Sequence, residues 1–218
     1  MRIRSDTGEF DLIPSKIIGI GQNYRAHALE MGKGVPSVPL MFLKPPSALL
    51  CDGGQIERPS GYERVDYEGE LGVVIGRRTQ NVARDRALDH VMGYVCVNDV
   101  TVRDLQKSDG QWARAKGFDT FCPLGPRIVA GLDPTKLRLT TRVNGQVRQD
   151  SSTSDLSFDV AELIAFVSAH MTLEPGDVIS TGTPAGVGNL APGDRVEIEI
   201  EGIGILANTV SERAHSAP

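Results

Sequence analysis

Two glutamates separated by one glycine, Glu68-Gly69-Glu70, form the stretch whose residue types most directly suggest chemistry. They lie in the run from Val65 to Gly76, which is rich in β-branched residues at its end and contains no proline, so it predicts a strand. Side chains alternate faces along a strand, so both glutamates are expected on one face, about 7 Å apart. Two like charges held together need a proton or a cation to compensate them. The pattern indicates a cation site; the alternative is an edge strand that shows both carboxylates to water.

A third acid, Asp99, follows the apolar run from Met92 to Asn98, which predicts a largely buried strand. A carboxylate at the end of such a strand needs water, a hydrogen-bond donor or a cation. Together with Glu68 and Glu70 it would supply three hard oxygen ligands and leave open positions on an octahedral ion, which suits Mg²⁺ or Mn²⁺ better than Zn²⁺. Asp99 can alternatively be the N-cap of a helix predicted from Val100 to Lys107.

His27 and Glu30 lie three residues apart in a segment of helix-forming residues that ends at Gly32. On a helix they would be neighbours on one face. A carboxylate beside an imidazole can fix its tautomer and raise its basicity, the arrangement that a general base needs to take a proton from water. The alternative is an exposed pair of little consequence.

Two lysines and a glycine-rich segment are candidates for binding an anion. Lys116 can pair with a substrate carboxylate as a point charge, and the alternative is an ordinary solvated lysine. Lys44 ends a short predicted strand before two prolines; it can reach a site or be solvated, and solvation is the prediction. In the segment Thr181 to Gly188, glycines would let backbone amides and threonine hydroxyls face an anion. The segment lacks the Gly-Lys-Thr/Ser ending of a P-loop, so ATP binding is not predicted.

The elements that must position these residues are predicted to be many short strands and few helices. The 24 glycines and 13 prolines are spread along the chain and favour frequent turns. Asn144-Gly145 predicts the turn of a β-hairpin. Asp159 and Glu162 form a capping-box-like pair that predicts the start of a scaffold helix with one apolar face.

Length and composition limit the number of domains and the classes of partner that the chain can have. The 218 residues suffice for one β-rich domain, predicted over residues 16–210, between a lead-in of residues 1–15 and a loose tail of residues 211–218. A formal net charge of -5 argues against nucleic acid as a partner. Three cysteines without a Cys-x-x-Cys spacing indicate no disulfide framework and no thiolate zinc site, and favour a cytoplasmic setting. No apolar run approaches membrane-spanning length, and no secretion signal is visible at the N-terminus.

Six separated motifs resemble, in order, those of the fumarylacetoacetate hydrolase family. They are Asn23-Tyr24-Arg25-Ala26-His27, Phe42-Leu43-Lys44-Pro45, Tyr67-Glu68-Gly69-Glu70-Leu71-Gly72, Asn98-Asp99-Val100-Thr101-Val102-Arg103-Asp104, Lys116-Gly117-Phe118-Asp119 and Thr181-Gly182-Thr183-Pro184-Ala185-Gly186-Val187-Gly188. The resemblance covers the chain from about residue 16 to 210. It implies a β-rich α+β fold, a mixed β-sandwich or β-roll like the C-terminal domain of these hydrolases with short flanking helices, usually as a homodimer.

The resemblance also implies a metal centre and a catalytic pair. Mg²⁺ or Mn²⁺ would be held by the residues that match Glu68, Glu70 and Asp99. His27 and Glu30 would form a water-activating dyad on a lid that orders over the substrate.

Further residues receive roles from the same resemblance. Gln106 matches a position that helps to orient the attacking water. Lys116, which counts as both catalytic and substrate-binding, and Thr183 match contacts to a substrate carboxylate. Arg25 is placed among the substrate-binding residues, and Arg103 lies in a matched motif without an assigned role.

The implied activity is metal-dependent hydrolysis of a carbon-carbon bond in a 2,4-diketo acid, of the acylpyruvate or fumarylpyruvate type, through a metal-bound pyruvate enolate. The metal and Lys116 would bind the 2-keto-acid end of this small anionic substrate. They would stabilise the negative charge that develops on its carbonyl oxygen. The same site could instead serve an oxaloacetate decarboxylase or tautomerase, or a 2-hydroxyhepta-2,4-diene-1,7-dioate isomerase. The non-enzymatic alternative is a structural metal-binding β domain, but a lysine, a His-Glu pair and a glycine-rich loop around three carboxylates fit an open reactive site better.

Overall fold

The computed structural model of the chain describes residues 1–6, 8–30, 34 and 36–213, including the side chains of all of these except His27, Ala28 and Glu30. Strands dominate and the helices are short, so the predicted β-rich α+β fold class is confirmed. The strands are β1 (Arg2–Ser5), β2 (Gly8–Asp11), β3 (Ile17–Gly21), β4 (Leu40–Lys44), β5 (Leu49–Cys51), β6 (Gln55–Pro59), β7 (Val65–Tyr67), β8 (Gly69–Ile75), β9 (Val91–Asn98), β10 (Thr101–Val102), β11 (Cys122–Val129), β12 (Arg138–Val143), β13 (Gln146–Ser152), β14 (Val178–Ser180), β15 (Gly188–Asn189), β16 (Arg195–Ile200) and β17 (Gly204–Arg213).

The helices lie between these strands. The α-helices are α1 (Arg25–Glu30), α2 (Arg103–Ser108), α3 (Ala113–Lys116) and α4 (Val160–His170). Single 3₁₀ turns or short 3₁₀ helices cover Pro46–Ala48, Arg84–His90 and Thr153–Asp155. In the part of the chain that the structure describes, none of the helices combines the length and the apolar character that crossing a membrane requires.

The strands form a main, a second and a small sheet. The main sheet has the order β2-β1-β11-β9-β8-β14-β3-β4, with β5 also beside β11. The second sheet has the order β13-β12-β16-β17-β6, and the small sheet is β10-β7-β15. Parallel pairs such as β3 with β14 and β6 with β17 occur among antiparallel ones, so the sheets are mixed.

The centre of the main sheet is buried on both faces, which explains why β8 is an almost continuous apolar run. Leu71 and Val73 pack in one cluster with Ile198 of the second sheet and Leu163 of α4. Val74 points to the opposite cluster, which joins β8 to the N-terminal strands. The two sheets therefore pack face to face as in a sandwich, and α4 is scaffold, as predicted.

The predicted strand from Val65 to Gly76 is in fact two strands, and the break falls at Glu68. β7 pairs with β10 and β15 in the small sheet, whereas β8 pairs with β9 and β14 in the main sheet. At the junction, side-chain amides replace strand partners: the N–H of Glu68 donates to Asn98 Oδ1 at 3.0 Å, and that of Gly69 to Gln149 Oε1 at 3.0 Å. The chain thus changes sheets at its acidic motif.

Two local predictions need correction. The helix predicted from Val100 to Lys107 begins only at Arg103, because β-branched residues form the short strand β10 first, and its N-cap residue is Val102. Asp99 is therefore not an N-cap. The segment 1–15, predicted as a lead-in, contains strands β1 and β2, and β1 pairs in parallel with β11 of the main sheet.

Two turn and cap predictions are confirmed. Asn144 and Gly145 have φ angles of 52° and 76°, the left-handed values that a two-residue hairpin turn between β12 and β13 requires. Asp159 caps α4 by accepting a hydrogen bond from the N–H of Glu162 at 2.8 Å.

Candidate active site

Strand pairing brings the three predicted acids together. In the β8–β9 pair Gly69 lies opposite Asn98, and the N–H of Asp99 donates to the carbonyl oxygen of Glu68 at 2.9 Å. One carboxylate oxygen from each of Glu68, Glu70 and Asp99 lies within 4.8 Å of the others, and all three residues are buried. The acids are thus not shown to water on an edge strand, which was the alternative interpretation of the motif.

The glycine between the two glutamates is required by a close approach of the second sheet. A Cβ atom at Gly69 would lie 2.2 Å from Thr141 Oγ1 and 3.1 Å from Gln149 Oε1. Any larger residue would push β12 and β13 away from the acids. The spacing Glu-Gly-Glu is therefore a packing requirement as well as a chemical one.

Buried cations surround the acids. Lys116 Nζ contacts Asp99 and donates to Glu68 Oε2 at 2.8 Å, while Arg103 Nη2 donates to Glu68 Oε1 at 2.5 Å. Lys44 Nζ donates to Asp99 Oδ1 at 2.5 Å, and Lys44 is 1% exposed. The prediction that Lys44 is solvated is therefore wrong, because β4 delivers its ammonium to a carboxylate 55 positions away in the sequence.

The charge of Lys116 is maintained by its neighbours. Burial by itself lowers the pKa of this lysine, but the carboxylates of Asp99 and Glu68 raise it above its ordinary value. The ammonium also lies 4.7 Å from the centre of the Phe42 ring and 6.0 Å from that of Trp112, positions that favour a cation. Lys116 is therefore a buried, charged group and not an ordinary solvated lysine.

Glu70 has different partners from the other two acids. Its Oε2 accepts hydrogen bonds from Ser180 Oγ at 2.5 Å and from the N–H of Gly182 at 2.8 Å, both neutral donors. Burial, and then the nearby charges of Asp99 and Glu68, raise the pKa of Glu70 to about 8. A proton or a further cation is thus needed to compensate this carboxylate near neutral pH.

The acids fit a divalent cation. Oxygens within 4.8 Å of one another can all reach one ion, since Mg²⁺ and Ca²⁺ bind oxygen ligands at about 2.0–2.6 Å. Among the residues whose side chains the structure describes, the cluster offers carboxylate oxygens and no sulfur or histidine nitrogen, and hard oxygen ligands suit Mg²⁺ or Mn²⁺.

A cavity of about 710 Å³ opens beside the acids, and its volume suits a small organic ligand. Five residues predicted for the site line it: Glu68, Glu70, Gln106, Lys116 and Thr183. Asp99 is close to them but is not part of the lining. The structure therefore assembles most of the predicted site around one cavity.

Two lining residues are held by neighbours. Gln106 Oε1 accepts a hydrogen bond from Arg103 Nη1 at 2.8 Å. Thr183 Oγ1 donates to the carbonyl oxygen of Gly69 at 2.9 Å and accepts from Gln149 Nε2 at 2.8 Å. The amide of Gln106 and the hydroxyl of Thr183 therefore have defined orientations.

The other three predicted site residues, Arg25, His27 and Glu30, belong to α1. Arg25 is exposed on α1 and lines a separate cavity with Tyr24 and Asp155, so the structure does not bring it to the acids. The backbones of His27 and Glu30 belong to α1, but their side chains lie outside the described residues. Their role as a dyad stays a prediction.

Sequence reasoning missed Gln149 and gave no role to Arg103. Arg103 joins Asp66 to Glu68, and a signal existed because it lies three residues before Gln106 on a short helix. Gln149 is fully buried and connects Gly69 to the glycine-rich loop through Thr183 and the carbonyl oxygen of Pro184. No local pattern marks it, since its partners lie 80, 34 and 35 residues away.

The sequence model of the family described as fumarylacetoacetate (FAA) hydrolase, C-terminal, matches residues 16–211. The chain belongs to this family. The resemblance stated from the motifs is thereby confirmed.

Three relatives illustrate the range of the family. A solved structure of 5-carboxymethyl-2-hydroxymuconate delta-isomerase from Mycobacterium smegmatis is 51% identical, with a TM-score of 0.88, and the match covers 94% of this chain and 81% of that one. Fumarylpyruvate hydrolase from Pseudomonas aeruginosa, solved with Mn²⁺ and pyruvate, is 31% identical, with a TM-score of 0.92 and coverage of 98% and 96%. Oxaloacetate tautomerase from Bacillus subtilis is 45% identical over 90% of this chain and 70% of its own length. The relatives are thus enzymes of hydrolase, isomerase and tautomerase type.

Proposed function

We propose that the protein is a divalent-cation-dependent hydrolase that cleaves a carbon-carbon bond in a 2,4-diketo acid and releases pyruvate. One observation carries this proposal: three buried carboxylates cluster with a buried, charged lysine, and Glu68, Glu70 and Lys116 of this cluster line a cavity large enough for such an acid. The relative solved with Mn²⁺ and pyruvate supports the choice of cation and of product.

Glu68, Glu70 and Asp99 would hold Mg²⁺ or Mn²⁺, which when bound supplies Lewis-acid polarisation of the 2-keto-acid end of the substrate. The chain adds fixed positive charge beside it. Lys116 lies between Glu68 and Asp99 on the cavity wall and would pair with the substrate carboxylate. Its charge is already in place before the reaction, so it stabilises developing negative charge without reorganisation.

Gln106 would orient the attacking water. Its carbonyl oxygen is occupied by Arg103, which leaves the NH₂ group as the part of the amide that can point into the cavity and donate to a water oxygen. His27, supported by Glu30, would take the proton from that water as general base. The water oxygen then attacks the distal carbonyl carbon of the diketo acid. The bond between that carbon and the neighbouring methylene carbon breaks, so the distal part leaves as a carboxylic acid, and the methylene carbon takes up a proton to give pyruvate.

A second candidate is keto-enol tautomerisation or decarboxylation of oxaloacetate, which the Bacillus subtilis relative supports. Isomerisation of a hydroxydienedioate is related chemistry, which the Mycobacterium smegmatis relative supports. These reactions need the same carboxylates and Lys116 to hold a 2-keto acid, but no water attacks carbon. Attack by water therefore distinguishes the first proposal from the others.

A substrate panel tests the proposal. The purified protein is incubated with Mg²⁺ or Mn²⁺ and with fumarylpyruvate, acetylpyruvate, oxaloacetate or 2-hydroxyhepta-2,4-diene-1,7-dioate, and the products are followed by mass and by coupled detection of pyruvate. We expect pyruvate and a carboxylic acid from a diketo acid, and loss of turnover with a chelator or in Asp99→Ala. Turnover of oxaloacetate or the dienedioate alone would favour the second candidate, and no turnover of any compound would refute both.

The homodimer that the family resemblance implies is likewise proposed. Light scattering of the purified protein would measure its mass in solution.

A further inference from the structure

A second cavity, the α1 cavity, has a volume of about 420 Å³ and lies between the start of α1 and the turn that follows β13. Residues 24–26 form one wall, and Ser151 with residues 154–156 forms the other. An antiparallel bridge between Tyr24 and Leu156 joins the two walls. Of the described residues, none lines both this cavity and the one beside the acids, so the proposed function does not use it.

Tyr24 brings a buried hydroxyl group to the α1 cavity. The residue is 1% exposed, and its Oη has no hydrogen-bond partner in the part of the chain that the structure describes. A buried hydroxyl without a partner is costly. Burial, and then the negative charges of Glu70 and Asp155, raise the pKa of the phenol, so it keeps its proton and is a hydrogen-bond donor. An acceptor on a ligand would satisfy it.

Two opposite charges on the walls of the α1 cavity also lack partners. Arg25 and Asp155 are both exposed, and neither forms an ion pair within 4.0 Å with any residue whose side chain the structure describes. Ser151 Oγ donates to Asp155 Oδ2 at 2.9 Å, which leaves Oδ1 open to a ligand. One wall thus offers donors to an anionic group and the other offers a carboxylate to a cationic group.

This combination suits a zwitterion. A simple anion would satisfy Arg25 and Tyr24 but would face the like charge of Asp155, and a simple cation would face Arg25. The two ends of the ligand must lie close together, because the charge of Asp155 acts on the phenol of Tyr24. In an α-amino acid the carboxylate and the ammonium are bonded to one carbon. Ala26 and Leu156 add an apolar part to the lining.

We propose that the α1 cavity is a binding site for a free α-amino acid with an apolar side chain. The carboxylate of the amino acid accepts a hydrogen bond from Tyr24 Oη and pairs with Arg25, while its ammonium pairs with Asp155. Its side chain packs against Leu156. The site is separate from the cavity beside the acids and is independent of the reaction proposed there.

The contacts should contribute unequally to affinity. An exposed ion pair contributes a factor of only about 1.5 to 5. A buried hydrogen bond to a charged group contributes at least about tenfold. Because the carboxylate receives the bond from Tyr24, its removal from the ligand should weaken binding more than removal of the ammonium.

Three compounds with one carbon skeleton test the site. L-Leucine carries both charged groups, 4-methylpentanoate lacks the ammonium, and 3-methylbutylamine lacks the carboxylate. Each is titrated into the isotope-labelled protein in Mg²⁺ buffer at low salt, and proton–nitrogen correlation NMR follows the backbone amides. L-Leucine should shift the amides of residues 24–26 and 151–156 in a saturable manner. 4-Methylpentanoate should bind about 1.5- to 5-fold more weakly and 3-methylbutylamine at least about tenfold more weakly.

Variants assign each contact. Tyr24→Phe should weaken binding of L-leucine at least about tenfold without lowering the melting temperature, because it removes a hydroxyl that has no partner. In Asp155→Asn, L-leucine and 4-methylpentanoate should bind equally. Arg148→Gln and Asp133→Asn change exposed charges that do not line the α1 cavity, and they should leave all affinities as they are.

Several results would overturn the site. They are the absence of saturable shifts with L-leucine, equal binding of L-leucine and 4-methylpentanoate to the unchanged protein, and an unchanged L-leucine affinity in Tyr24→Phe. Shifts confined to α2 and the glycine-rich loop would also overturn it, because they would place the amino acid in the cavity beside the acids. None of these results bears on the proposed hydrolase activity.

Discussion

At the scale of single residues, the site is defined by how each buried charge is compensated. Asp99 contacts Lys44 and Lys116, and Glu68 contacts Arg103 and Lys116, whereas Glu70 accepts hydrogen bonds from neutral donors. Buried pairs of this kind are costly to break, because removal of one partner leaves the other charge uncompensated. The ion pairs therefore make the acidic cluster compatible with a folded chain.

Replacement of Lys44 tests this role. In Lys44→Met the hydrocarbon stem is kept and the ammonium beside Asp99 is lost, so we expect the free energy of unfolding to fall by about 3 kcal/mol. Urea denaturation measures the change, and Lys136→Met, at an exposed lysine, is the matched control. A stability equal to that of the control would mean that Lys44 is solvated, as its sequence context predicts.

The acids could be predicted from sequence because their signal is local: Glu68 and Glu70 flank one glycine, and Asp99 ends an apolar strand. Lys44 could not, because a lysine before two prolines is usually solvated and only the pairing of β4 with β3 turns it inward. Its partner Asp99 is distant in sequence. Burial of a charge is decided by such tertiary contacts, which no local pattern contains.

At the scale of elements, the acidic motif is supported from the second sheet. Gln149 of β13 accepts from the N–H of Gly69 and donates to Thr183 and to the carbonyl oxygen of Pro184. One side chain thus fixes the backbone between two candidate metal ligands and the glycine-rich loop. Residues that do not bind a metal themselves change its affinity when their hydrogen bonds orient the metal ligands.

Two substitutions of Gln149 separate its contacts. Gln149→Leu removes all of them, and we expect about a 10- to 100-fold weaker affinity for Mn²⁺. Gln149→Glu keeps an acceptor for Gly69 but loses the donors to Thr183 and Pro184, so its loss of keto-acid binding should exceed its loss of metal affinity. Gln146→Leu, on the exposed start of β13, is the control in the same strand. Calorimetric titration measures the affinities for Mn²⁺ and for a 2-keto acid. An unchanged Mn²⁺ affinity in Gln149→Leu would show that Gln149 does not support the metal ligands.

The strand around the motif was predicted, but its division was not. One continuous strand is predicted because the segment ends in β-branched residues and contains no proline, and neither feature marks a break at Glu68. The break arises because Asn98 and Gln149 bind the backbone there, which depends on the register of β9 and β13. By contrast, the hairpin at Asn144-Gly145 and the cap at Asp159 are local and were predicted correctly.

At the scale of the whole molecule, a buried carboxylate ties the start of the chain to the main sheet. Asp177 accepts hydrogen bonds from the N–H groups of Ser15, Lys16 and Glu174, and it contacts the ammonium of Lys16. Burial would raise its pKa, but these hydrogen bonds together hold the pKa below its usual range. Asp177 thus contributes stability in its charged form.

The lowered pKa of Asp177 determines how its contribution to stability depends on pH. A carboxylate whose pKa is lower in the folded than in the unfolded state stabilises the fold above the unfolded value, about 3.9, and this contribution is lost as the pH falls through the folded value. We expect Asp177→Asn to be less stable than the unchanged protein at neutral pH, and the difference to shrink as the pH drops below about 4. Thermal melts across this range measure it; a difference that is independent of pH would contradict the assignment.

Whether Glu68, Glu70 and Asp99 bind a cation is tested by calorimetric titration of Mn²⁺ into the unchanged protein, Glu70→Gln and Glu212→Gln. Glu70→Gln keeps the size of the side chain and removes the carboxylate that lacks a cationic partner in the hydrogen bonds described, whereas Glu212 is exposed on β17. We expect one ion per chain for the unchanged protein and for Glu212→Gln, and at least about tenfold weaker binding for Glu70→Gln. Equal Mn²⁺ affinity in all three proteins would show that the ion is not held by these acids.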